Sequence, residues 1–86
     1  MDKNAMILDR IIPIEELDFN GIIDKTLLFY LKKAGINTIN DIYSKNNAEL
    51  AAIRELGSAR YELLFEKMVQ HGFPVEQFDL DEVITK

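Results

Sequence analysis

From Ile22 onward the hydrophobic positions fall into short runs at helical spacing, and glycine, proline or asparagine separates the runs. Ile23, Leu27, Leu28, Leu31 and Ala34 recur on one face up to Gly35, which predicts a helix and its left-handed cap. Thr38 followed by Asp41 three residues later has the form of a capping box, opening a short helix through Ile39, Ile42 and Tyr43. Asn46 or Asn47 caps a third short segment with Leu50, Ala51 and Ile53 along its apolar edge. The longest helix runs from Ser58, with Tyr61, Leu64, Phe65, Met68 and Val69 on its stripe and Gly72 and Pro74 as its stop. Before these, Pro13 opens a single turn bearing Glu15 and Glu16; after them, Asp79 and Glu82 are placed to cap a last turn with Val83 and Ile84.

No stretch alternates apolar and polar residues long enough to demand a strand, and no hairpin signal joins candidate strands. The expected fold class is all-α, a compact bundle of four to five short helices. Its expected organisation is an N-terminal arm over 1–12, a helical domain over 13–75 and an acidic tail or short helix over 76–86.

Length and composition narrow the picture. Eighty-six residues suffice for one small core, and 48% hydrophobic with 29% charged residues is a globular balance. Without cysteine there is no disulfide framework and no thiolate metal site. No apolar run is long enough for a membrane span, and a secretory signal is missing, so the expected location is cytoplasmic.

Net charge is −5, which by itself disfavours an ordinary basic nucleic-acid binder. Its distribution changes that reading. Residues 1–24 and 61–86 each carry two bases against six acids, whereas 25–60 carry six bases against three acids, so two flanks of −4 enclose a middle of +3.

Within that middle lie two helix pairs turning through glycine, one at Ala34-Gly35-Ile36-Asn37-Thr38 and one from Ile53 to Arg60. In a helix-hairpin-helix unit the glycine lets the backbone approach a phosphate, toward which the free amides of the second helix point. Gly57 and Ser58 fit that role; the alternative is that Gly57 merely separates two helices. Arg60 stands in a helix's first turn, where the macrodipole disfavours a cation by about 0.3–1 kcal/mol unless an anion compensates. Arg54 is spaced to grip the same backbone, with Glu55 and Glu62 as competing partners for both arginines.

The run Ile14-Glu15-Glu16-Leu17-Asp18-Phe19, the run Leu31-Lys32-Lys33-Ala34-Gly35-Ile36-Asn37-Thr38-Ile39, and Ile53-Arg54-Glu55-Leu56-Gly57 with the helix to Met68 resemble the C-terminal domain of the bacterial RNA polymerase alpha subunit. The resemblance covers roughly residues 13–75. It implies a SAM-like bundle with helix-hairpin-helix elements that contacts the DNA minor groove, largely through backbone phosphates, and docks on transcription factors and sigma factor.

Departures accompany it. A few extra residues precede Leu31, the family's principal DNA-contacting arginine falls at Thr26 beside Lys25, and its contacting asparagine falls at Phe29. Where the family has two lysines and a serine after the glycine, this chain has Ser58, Ala59 and Arg60. The opening methionine suggests a freestanding version of the domain.

Phe29, with Ile22, Thr26 and Lys33, lies off the apolar stripe of its helix. Either it is exposed, forming with Leu28 an anchor for a protein partner, or a broader apolar face buries it. His71 is read as structural, the acids of the tail as a solvated surface, and Ser44 and Ser58 as lacking any base that would make a nucleophile.

No enzyme and no cofactor are implied. The expected function is a transcription-associated module that binds DNA backbone phosphate weakly through Gly57, Ser58, Arg60 and Arg54, aided by Lys25, Thr26 and Lys32. The alternative is a module that has lost DNA binding and docks on RNA polymerase or a transcription regulator through Phe29 and Leu28.

Overall fold

The computed structural model describes residues 9–53 and 55–84. A 3₁₀ turn at Ile14–Leu17 is followed by five helices: α1 (Ile22–Lys33), α2 (Ile39–Tyr43), α3 (Asn47–Ala51), α4 (Ser58–Gln70) and α5 (Leu80–Ile84). Among the described residues there is no strand, only an isolated bridge between Pro13 and Thr38.

Both long helices end in the same way. Gly35 and Gly72 take positive φ, 87° and 85°, and the amides beyond them reach back. Ile36 N donates to Leu31 O and Gly35 N to Lys32 O, while Phe73 N donates to Met68 O and Gly72 N to Val69 O. This double return needs a residue free of a left-handed penalty at the turn, which glycine supplies. The two shortest internal helices start on capping boxes, Thr38 with Asp41 and Asn46 with Glu49, each satisfying otherwise unpaired amides.

The core is drawn from every element. Leu17, Leu27, Leu31, Ile39, Leu64 and Met68 have no accessible surface, nor has Val83 of α5. Phe78 stacks near-parallel on both Tyr43 and Phe65, with ring centroids 6.2 and 5.6 Å away, and so fastens the segment entering α5 to α2 and α4. Tyr43 reaches the same segment through its hydroxyl, which donates to Pro74 O at 2.7 Å; burial pushes that phenol up to about 12.

The chain before α1 is clamped by polar contacts. Asn40 accepts from Ile12 N at 2.9 Å and donates to Arg10 O at 3.0 Å, and Ile14 N donates to Asn37 O. A second tie runs through Lys67, a cation almost withdrawn from solvent. Its ammonium pairs with Asp24 at 2.8 Å, donates to Asp18 O at 3.0 Å and lies over the Phe19 ring, so the buried charge is compensated.

The apolar stripes are narrower than the spacing suggests. Ile23 and Val69 fall on them but are 75% and 57% exposed. Ile23 belongs to the first turn of α1 and Val69 to the last turn of α4, where the neighbouring positions Asp24, Lys67 and Met68 take the packed side instead.

Candidate nucleic-acid interface

The turn from α3 into α4 is held by Tyr61. Its ring is buried and its hydroxyl donates to Leu50 O and, at 3.3 Å, to Ile53 O, so α4 grips the end of α3 and the turn that follows it. Leu56 is buried beneath the turn, leaving Gly57, Ser58 and Ala59 on the surface.

Gly57 is the N-cap of α4 and no side chain caps that end. With φ −82° and ψ 179° the backbone there is extended, open to any residue, and a Cβ would meet no atom within 4 Å. Neither conformation nor internal crowding requires glycine at this position. What it leaves is clear space above an unsatisfied helix start, where amides carry partial positive charge.

Arg60 stands on α4 with its guanidinium 4.7 Å from the ring centroid of Tyr30 on α1, and donates from Nη1 to Glu55 O at 3.0 Å. Both partners are neutral. Among the described residues no carboxylate pairs with Arg60, so its charge is held in place without being cancelled. The Glu55 carboxylate goes instead toward Lys33, at 3.9 Å between exposed side chains.

The other expected site residues divide. Lys25 is exposed on α1 with no ion-pair partner among the described residues. Thr26 spends its hydroxyl proton on Ile22 O at 2.9 Å, one turn back. Lys32 turns away from α4 and binds Glu15 on the 3₁₀ turn, a contact that holds the Glu15 carboxyl below its usual range. Leu28 is half-buried against the core, whereas Phe29 is 61% exposed and meets Tyr30 edge-to-face at 5.4 Å. Arg54 lies outside the described residues.

Gly57, Ser58 and Arg60 therefore share one corner, which Tyr30, Lys33 and Glu55 complete. Tyr30 was missed as the seat of Arg60 because a half-buried aromatic on a helical stripe reads as packing. Lys33 gave a usable signal, standing four residues from Phe29 as Lys25 does on the other side.

The geometry can be set beside known proteins. Over 70 residues the chain is 39% identical to the DNA-directed RNA polymerase subunit alpha of Mycoplasma mycoides subsp. mycoides, covering 81% of this chain and 20% of that protein. The chain is similar to one segment of the alpha subunit. Its counterpart in Mycoplasma capricolum subsp. capricolum is 37% identical over 70 residues, with the same coverage. That of Oenococcus oeni is 31% identical over 79 residues, 90% of this chain and 24% of the relative. The chain thus spans between a fifth and a quarter of the length of these relatives, and the match supports a relation to the C-terminal domain of the alpha subunit. No family model matches the chain, and no solved structure matches it.

Within the described residues no helix is long and apolar enough to cross a membrane.

Proposed function

We propose that this chain is a non-catalytic, transcription-associated module of the cytoplasm whose helix-hairpin-helix, α3 to α4, binds nucleic-acid backbone phosphate. The observation that carries the reading is the corner itself: an uncapped helix start at Gly57 and Ser58 beside an arginine that two neutral groups hold in place with its charge intact. The similarity to DNA-directed RNA polymerase alpha subunits supports the same direction.

Binding is expected to be modest. With roughly three to five phosphate contacts, log K against log[salt] for a short duplex should fall with a slope of about −3 to −4.5. Fluorescence anisotropy across a salt series measures it, and Arg60→Glu should remove binding. A flat salt response, or wild-type affinity in Arg60→Glu, would sink the proposal.

A second reading is favoured by the exposure of Phe29: docking on RNA polymerase or a regulator through that ring. Capture of purified polymerase that is lost in Phe29→Ala and kept in Arg60→Glu would select it.

A further inference from the structure

Phe29 is the exposed aromatic nearest the phosphate corner, and the structure connects the two. Its ring meets the edge of Tyr30 at 5.4 Å with an interplanar angle of 70°, and Tyr30 carries the Arg60 guanidinium at 4.7 Å, which in turn bonds Glu55 O in the turn before α4. An exposed aromatic is thereby braced by Tyr30, on which a held cation rests in turn.

Its rim is basic. Lys25 and Lys33 stand four residues before and after Phe29 on α1, hence one turn away on the same face. Lys33 meets the Glu55 carboxylate only at 3.9 Å between exposed side chains, an arrangement worth little. The other exposed apolar side chain on this face, Ile22, is seven residues away, roughly 10 Å along the axis, with Lys25 and Thr26 between. Phe29 is therefore a lone flat ring among cations rather than part of an apolar patch of the size that seats a protein.

An exposed aromatic flanked by two lysines beside the proposed phosphate corner has the elements on which unpaired bases stack. Duplex DNA keeps its base faces covered, so such a ring gains nothing from an intact helix. We infer that Phe29 is a stacking platform for an unpaired base and that the preferred ligand of this site is single-stranded nucleic acid. The inference rests on the phosphate reading above and deepens it: the Gly57, Ser58 and Arg60 corner takes the backbone while Phe29 takes a base.

The test compares labelled oligothymidylate with a duplex of equal length by fluorescence anisotropy, using the full chain. Wild type should bind the single strand at least about fivefold more tightly than the duplex, since one stacked base is worth that much or more. Phe29→Ala should lose that preference while keeping its duplex affinity, and Arg60→Glu should lose both ligands. The chain has no tryptophan, so Phe29→Trp introduces a single reporter whose emission oligothymidylate should quench and the duplex should not.

Equal loss of both ligands in Phe29→Ala, or no loss of either, overturns the inference, as does emission from Phe29→Trp that oligothymidylate leaves unchanged. Binding of the duplex without preference for the single strand overturns the inference and leaves the phosphate reading standing; binding of neither overturns both. Loss of polymerase capture in Phe29→Ala with oligonucleotide affinity unchanged assigns the ring to a protein partner and also overturns it.

Discussion

Tyr30 carries Arg60 on its ring face, 4.7 Å from guanidinium carbon to ring centroid, and so joins the last turn of α1 to the first turn of α4. A cation in the first turn of a helix opposes the macrodipole, and the ring and the Glu55 carbonyl are what offset that cost here. Replacing the ring while keeping apolar bulk, Tyr30→Leu, should lower stability by about 0.5–1 kcal/mol. It should also weaken DNA binding without altering the salt slope, because the arginine stays but loses its seat. Urea melts and anisotropy titrations read both effects, and unchanged DNA affinity would show that the seat has no role in binding.

Glu55 places one negative charge beside the proposed phosphate corner, 3.9 Å from Lys33. Glu55→Gln keeps the backbone carbonyl that accepts from Arg60 and deletes the charge. DNA affinity should rise about twofold at low salt, in keeping with the fraction of a kilocalorie an exposed charge contributes, and the gain should fade as salt is added. A fall in affinity would mean that Lys33 depends on Glu55 for its position.

His71 should make stability fall as pH rises from neutrality. Its Nδ1 faces Lys67 O and its Nε2 faces Asp18 Oδ2, each at 2.9 Å. Both partners are acceptors, so both ring nitrogens donate only in the imidazolium form. The Asp18 carboxylate above all, and then the Lys67 carbonyl, raise the imidazole above its ordinary 6.5. A group raised in the folded state contributes fully below 6.5 and loses that contribution as pH climbs through the folded value. Melting temperature should therefore drop as pH rises above 6.5 and through the folded-state value, and Asp18→Asn should flatten the drop. Asparagine suits the site because Asp18 has φ 60°, a left-handed conformation that asparagine tolerates. An NMR titration of this single histidine with a midpoint at or below 6.5 would contradict the account.

Tyr61→Phe tests the grip of α4 on α3. The substitution keeps the ring and deletes the hydroxyl that donates to Leu50 O and Ile53 O. Each carbonyl keeps one backbone donor, Ile53 N and Leu56 N respectively, so the expected cost is near the lower end of the range, about 1 kcal/mol. Hydrogen exchange should quicken at the amides of Ile53 and Leu56 more than at those of α1. Uniform acceleration across the chain would mean that the hydroxyl supports the whole fold rather than this turn.

What the sequence determined by itself was local. The all-α class, the ends of α1 and α4 at Gly35 and Gly72, the capping box at Thr38, an asparagine cap at position 46 or 47 and the last helix after Asp79 each follow from residues close together in the chain, while the choice of Asn46 and its pairing with Glu49 came from the structure. These choices depend on backbone conformation and on amides needing an acceptor within a few residues, and such requirements leave their mark in spacing. The basic middle segment and the alpha-subunit resemblance were legible for the same reason, as linear patterns.

Tertiary structure decided which cations were spent. Lys32 and Lys33 are neighbours in the chain, yet one turns to Glu15 and the other toward Glu55, because adjacent helical residues point about 100° apart and meet different neighbours. Lys67 reads as a surface lysine beside an apolar stripe and instead lies buried between Asp24 and Asp18 O. Arg60 finds Tyr30 thirty residues earlier in the chain. A contact of that kind depends on where two helices cross, and the periodicity of either helix alone leaves the crossing undetermined.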